Sequence, residues 1–328
     1  LSPLLIYKKF RMLKLTHLFI LVLSSSLYAA PSTELTLSLN PSIVKVHTAN
    51  KQGNHGVGSG VVIAKDYVVT NCHVVADAQG IHVTKFGVSY PPFALLADWR
   101  HDLCILKFKY LDLQPITLGD NEQLAYEEEV FSKSYGGNTV KPHTSLGAVK
   151  GIYELDGYKI IQSSAWFSLG ASGGGLFNNK GELIGVTTFK TPGNSGFFYS
   201  VPVEVIKEIL TKNEEISITA AAEPPFWDAP EEKLPFFMQV VGPINKENWV
   251  KLKEVSIEWL ANKPNEVEAH YHLGVAQYHL DRLKEAKQSF NEVITKNKKH
   301  LQAYLFLYKI AKFEGKEDEM KDYKKIAL

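Results

Sequence analysis

Between about residue 35 and residue 210, apolar positions come in short runs broken by Gly, Asn and Asp. Ile43-Val44-Lys45-Val46-His47 alternates, as a half-buried strand does. Gly58-Ser59-Gly60-Val61-Val62-Ile63 leads through a Lys65-Asp66 turn into Tyr67-Val68-Val69-Thr70. Further runs cover residues 81–84, 103–108, 149–153, 158–162, 183–188 and 197–201. Many short strands at regular spacing predict a sandwich or barrel. Residues 202–212 change period and read as a helix, with Val205, Ile206, Ile209 and Leu210 on its apolar face. Residues 213–245 carry Pro224, Pro225, Pro230, Pro235 and Pro243, which break regular elements and predict a linker. Phe226, Trp227, Phe236 and Phe237 are apolar anchors within it.

From residue 246 to 328 the texture is helical and repetitive. In the stretch EAHYHLGVAQYHLDRLKEAKQSFNEVI, small residues (Gly274, Ala276, Ala286) and large ones (Leu273, Phe290, Ile294) flank a polar turn at Asp281-Arg282. That pattern resembles a tetratricopeptide repeat, whose paired helices pack small against large side chains. Trp249 to Asn262 then reads as the second helix of a preceding repeat, and residues 301–328 as a degenerate following one. The resemblance implies a docking surface for a protein partner and no chemistry of its own.

The N-terminus places Lys8, Lys9, Arg11 and Lys14 before Leu18-Phe19-Ile20-Leu21-Val22-Leu23, with Ala29-Ala30 following. A basic flank, a short apolar core and a small-residue exit predict a signal peptide over residues 1–30, hence an exported chain, periplasmic or secreted. The run is shorter than the roughly 20 apolar residues of a membrane span. An uncleaved anchor is the alternative. The 36 Lys and Arg against 35 Asp and Glu give a net charge of +1, which disfavours nucleic acid as a partner. No C-x-x-C spacing occurs, and His270 and His272 do not share a helix face, so no metal or cofactor is expected.

Gly170-Ala171-Ser172-Gly173-Gly174 is the most chemically suggestive segment. A serine hydroxyl attacks only with a base beside it and with N–H groups aimed at the developing oxyanion. Flanking glycines let bare backbone turn sharply towards a substrate. The amides of Gly170 and Ser172 are the candidate oxyanion donors. Thr70-Asn71-Cys72-His73 ends an apolar strand on a histidine, and Asp102-Leu103-Cys104-Ile105 heads another with a carboxylate. Separations of about 30 and 70 residues in the order His, Asp, Ser place the first two in one barrel and the serine in the next.

With GVGSGVVI, YVVTNCHVV, DWRHDLCILK, IIQSSAWFSLGASGGGLFN, GELIGVTTF and FFYSVPVEVIKEIL in order, residues 31–212 resemble the trypsin-like serine proteases of the HtrA (Deg) branch. The resemblance implies an all-β double β-barrel with His73 as base, Asp102 as its orienter and Ser172 as nucleophile. His82, His101 and Asp98 lack that context. Ala171 and Gly175 stand where relatives usually have Asn and Pro. No stretch reads as a PDZ domain; the helical repeats take that place. The strand Thr188-Phe189-Lys190 forms one wall of the implied specificity pocket, with Phe167 and Phe198 as bulky rings and no acidic residue at its base. This implies small apolar P1 residues. Cys72 adjoins His73 and Cys104 shares a strand face with Asp102, so the two cysteines should be close. A disulfide and two buried thiols both fit those positions.

The sequence thus reads as an exported serine endopeptidase acting on protein or peptide substrates. A catalytically silent scaffold that works through its repeats is the alternative.

Overall fold

The computed structural model describes residues 30–136, 139–191 and 198–327. The leader expected over residues 1–30 lies outside them except for Ala30. The described chain opens on α1 (Thr33–Ser38), where Ser32 Oγ accepts the Leu35 amide at 3.1 Å. The β texture therefore starts later than the apolar pattern suggested: a serine cap and Glu34 in the first turn favour helix there.

Seven strands follow, with one short helix among them: β1 (Ile43–Ala49), β2 (His55–Ala64), β3 (Tyr67–Asn71), α2 (Cys72–Val75), β4 (Gly80–Lys85), β5 (Val88–Tyr90), β6 (Ala94–Asp98) and β7 (Leu103–Lys107). They form a half-barrel in the order β5-β4-β1-β2-β3-β7-β6. Six more strands close a second barrel: β8 (Glu129–Ser134), β9 (His143–Leu155), β10 (Tyr158–Ser163), β11 (Gly175–Asn178), β12 (Leu183–Lys190) and β13 (Phe198–Pro202). All named pairings are antiparallel. The period-2 pattern explains the sidedness of β1: Val44 and Val46 are fully buried while Lys45 and His47 keep partial exposure. α3 (Val203–Lys212) buries Val205, Ile206 and Ile209 against β6, β7 and β12.

The segment after α3 is not a free linker. Ile216 exchanges backbone hydrogen bonds with Leu95 of β6, and the Phe226 amide donates to Arg100 O at 2.9 Å. Two short helices, α4 (Phe236–Gln239) and α5 (Val241–Asn245), form where prolines were expected to forbid them. Pro235 precedes the first turn and Pro243 sits within one, where a missing amide costs nothing.

Five longer helices complete the chain: α6 (Trp249–Asn262), α7 (Val267–His279), α8 (Leu283–Lys296), α9 (Leu301–Phe313) and α10 (Glu317–Ala327). Gly274 of α7 faces Phe290 of α8 so closely that an added Cβ would lie 2.8 Å from the ring. The helices dock on the closed barrel. Phe237 stacks on Tyr153 with ring centroids 4.6 Å apart, and Trp259 of α6 lies against the same tyrosine. Burying each such ring contributes about 2–3 kcal/mol. Beside them, the hydroxyl of Tyr126 donates to Glu268 of α7. His300 accepts the Ala303 amide on Nδ1 at 3.2 Å, which leaves the proton on Nε2, 3.3 Å from Glu268 Oε1. A cavity of about 310 Å³ separates this polar cluster from Tyr153, Tyr199 and Phe237. Among the described residues no helix is long and apolar enough to cross a membrane.

Candidate active site

β3 and β7 pair in register, Asn71 against Leu103, and their neighbouring ends carry the imidazole and the carboxylate. The chain leaves β3 through Asn71, whose side-chain amide donates to Asp102 O at 2.9 Å and to Thr188 Oγ1 at 3.1 Å. It then turns into α2, and the Cys72 amide donates to the same Asp102 carbonyl at 3.1 Å. Asp102 enters β7 with φ of 60°, a left-handed conformation that aspartate tolerates better than most residues. Its carboxylate has no solvent exposure. Oδ1 accepts the His73 backbone amide at 2.8 Å, and Oδ2 lies 2.5 Å from His73 Nδ1. A carboxylate only accepts, so Nδ1 of His73 is the donor of this pair. Cys72 and Cys104 are joined by a disulfide that ties α2 to β7.

Ser172 lies in the loop between β10 and β11, on the other barrel. The Ala171 amide is spent on Ser168 O at 3.0 Å, and the Gly173 amide on Thr187 O at 2.9 Å. Among the described residues the amides of Gly170 and Ser172 make no internal hydrogen bond. Two unspent donors flanking a half-buried serine are what an oxyanion site requires. Gly170 and Gly173 both have φ of +86°. A Cβ on Gly173 would lie 2.1 Å from Ser59 O, so only glycine lets the loop press against β2.

That contact reveals a residue the sequence argument passed over. Ser59 of β2 receives the Tyr135 amide on Oγ at 2.8 Å and donates from Oγ to Gly170 O at 2.9 Å. Its own amide donates to Ser172 O at 2.8 Å. Ser59 therefore fixes the Ser172 loop of one barrel to a strand of the other. It lies between two glycines in the Gly58-Ser59-Gly60 run, a signal of close backbone approach that was visible but unassigned. Trp227 also escaped notice as a site residue, and its indole N–H reaches Asp102 Oδ2 at 3.1 Å.

The three expected triad members are not yet linked in one chain of hydrogen bonds. His73 and Asp102 are joined, while the Ser172 hydroxyl donates to Thr188 O at 3.4 Å. The same Thr188 holds Asn71 through its side chain, so serine and histidine share a common support.

Phe167 and Phe198 meet edge to face at 5.1 Å between ring centroids. Phe167 is buried and Phe198 half-buried. The Phe189 ring turns away from them, stacking on Tyr199 at 4.8 Å, so residue 189 offers only backbone to a cleft. Thr188 is buried and Lys190 exposed. A second imidazole–carboxylate pair, His101 with Asp98 at 2.8 Å, is local to one turn. Burial pushes the Asp98 carboxyl up, but hydrogen bonds from His101 outweigh it and hold the group below its usual range.

Two barrels that each supply part of one cleft define the trypsin-like double-barrel class, here followed by a helical region. Residues 58–186 match the trypsin-like peptidase domain. The chain is similar to a probable periplasmic serine endoprotease DegP-like of Buchnera aphidicola subsp. Baizongia pistaciae, 33% identical over 174 residues. That match covers 49% of this chain and 37% of the relative. A likewise named protein of Pseudomonas putida (strain ATCC 700007 / DSM 6899 / JCM 31910 / BCRC 17059 / LMG 24140 / F1) is 33% identical over 177 residues, covering 49% and 36%. The chain thus spans little more than a third of the length of these relatives. Among solved structures, the HtrA-type protease AlgW with tripeptide superposes with a TM-score of 0.50 at 24% identity, covering 56% of this chain and 63% of that one. The Rv3671c protease from M. tuberculosis in its active form gives 0.51 at 20%, covering 60% and 90%. These likenesses establish the fold.

Proposed function

We propose that the chain is an exported serine endopeptidase that cleaves protein substrates through His73, Asp102 and Ser172. The observation that carries this reading is the His73–Asp102 pair, its carboxylate fully buried, on the same half-barrel whose Ser59 holds the Ser172 loop, with the amides of Ser172 and Gly170 unspent. In the proposed cycle, Ser172 Oγ swings from Thr188 O towards His73 and gives its proton to Nε2 as it attacks the scissile carbonyl. The amides of Gly170 and Ser172 receive the oxyanion, and Asp102 stabilises the imidazolium. His73 then protonates the leaving amine, and a water repeats the sequence to release the acyl group. The periplasmic relatives support the compartment, which also suits a Cys72–Cys104 disulfide.

The proposed P1 preference is for small apolar side chains, because Phe167 and Phe198 meet as a ring pair and the Ala165-Trp166-Phe167 segment carries no acidic residue. We assign α6 to α10 to tetratricopeptide-like repeats that dock a substrate or partner protein. The exposed residues of that region, including Val250, Ile257 and Phe313, leave surface for such docking. Casein hydrolysis by wild type and Ser172→Ala tests the enzymatic reading. Loss of turnover of about 10⁴-fold or more supports it. Equal hydrolysis by both proteins would overturn it in favour of a silent scaffold contaminated by another protease.

A further inference from the structure

Asp102 is a fully buried carboxylate, and two of its three donors belong to one residue, the His73 amide and the His73 ring. A buried charge needs its remaining lone pairs satisfied, or it moves towards other partners or neutralises. Thr188 Oγ1 donates to Val186 O at 2.8 Å and receives Asn71 at 3.1 Å, so it gives Asp102 nothing. The third donor comes from far along the chain. Trp227 lies after both barrels, and its indole N–H donates to Asp102 Oδ2 at 3.1 Å. The same ring meets the His73 imidazole edge to face, with centroids 5.3 Å apart and planes at 88°.

The segment holding this indole is anchored on each side. Phe226 donates its amide to Arg100 O, beside the turn that delivers Asp102. The Phe226 ring packs between Phe189 at 5.6 Å and Phe237 at 6.4 Å. Phe237 in turn stacks on Tyr153, which also meets Trp259 of α6. Phe189 runs nearly parallel to Trp227 at 6.0 Å. Rings therefore connect the helical region to the indole, and the indole to the imidazole–carboxylate pair.

We infer that Trp227 is a positioning residue for the proposed catalytic pair. Its N–H completes the hydrogen bonding of Asp102, and its ring fixes the plane of His73. The inference rests on the reading of His73, Asp102 and Ser172 as a triad. The helical region then supports catalysis through the segment it anchors, in addition to any docking it performs. Trp227 touches no reacting atom and acts only through Asp102 and His73.

Trp227→Phe in the full chain removes the N–H and keeps most of the ring. The probe is a fluorophosphonate, with its saturating inactivation rate, its half-saturation concentration and its final labelled fraction measured separately. Losing one hydrogen bond to a charged group predicts a rate lower by about tenfold per labelled site. The half-saturation concentration should stay unchanged. Counting labelled sites removes any misfolded fraction from the comparison. In the proton spectrum, the low-field resonance of the His73–Asp102 hydrogen bond should shift in the variant by more than exchange of the neighbouring ring current produces. An unchanged rate per site with an unmoved resonance overturns the inference. So does a raised half-saturation concentration at constant rate, which would make the indole a mere wall of the cleft. If wild type does not label, the proposed enzymatic function fails, and the resonance alone then decides whether Trp227 governs the pair.

Discussion

The Ser59 hydroxyl of the half-barrel donates to the carbonyl of Gly170 in the closed barrel at 2.9 Å. One buried side chain thus decides how the Ser172 loop sits relative to the strand pair that carries His73 and Asp102. Ser59→Ala leaves Gly170 O and the Tyr135 amide without that partner, at about 1–3 kcal/mol. Melting should fall by several degrees, and kcat should fall at least tenfold, because release of the Gly170–Ala171 peptide lets the adjoining Leu169–Gly170 peptide, which carries the Gly170 amide, reorient. Thermal unfolding and peptide hydrolysis measured on one preparation check both effects. Lowered stability with full kcat would mean that Ser59 only packs.

The disulfide closes a loop between residues 32 apart in sequence. The chain-entropy model gives about 3–4 kcal/mol for a loop of that size. Reduction, or a Cys72→Ala/Cys104→Ala variant, should lower melting by roughly 10 °C. Activity at low temperature should survive, since the His73–Asp102 contact also rests on Asn71 and the Cys72 amide. Thiol titration of the unfolded, unreduced protein should find no free thiol.

Acid should loosen the union of barrel and helices. His272 is buried in the interface cavity, and burial pushes its pKa down to about 4, against a pull upward from Glu268 and a push down from His300. The unfolded imidazole binds its proton near pH 6.5 while the folded one does not until about 4. Between those values the unfolded state holds more protons, so stability falls as pH falls through that window. His272→Phe should flatten the loss, by roughly 5 °C in melting at pH 4.5 relative to wild type. Parallel slopes for the two proteins from pH 6.5 to 4 would refute the assignment.

A chain ended at Pro230 keeps Trp227 but loses Phe237 and Trp259, which cover Tyr153 and Tyr199. If residues 213–245 were only a linker, such a fragment would stay soluble. The structure points to an exposed aromatic face on the closed barrel, so the fragment should bind a hydrophobic dye and self-associate. Sedimentation of the fragment beside the full chain checks this.

The limits of reading the sequence follow the same physics. Ile43 to His47 was legible from its alternation because one face is buried, and Tyr67 to Thr70 as a continuous apolar run because both faces are. β5 and β11, of three and four residues, are too short to show a period. β8 buries Ser132, Lys133 and Ser134 and so reads as polar surface. Burial lowers the Lys133 ammonium pKa to about 8, a cost that no local pattern announces. The motif residues around His73, Asp102 and Ser172 stood out because chemistry restricts what can occupy them. Ser59 and Trp227 did not, because their partners lie 111 and 125 residues away, and only folding brings them together.

The central claim is that Ser172 is a nucleophile activated by His73. A fluorophosphonate label on the purified full chain, followed by peptide mapping, tests it most directly. The account predicts one equivalent of label on Ser172, none on Ser172→Ala, and none on wild type that has been unfolded first. Label on another residue, or no label on folded wild type, would contradict it.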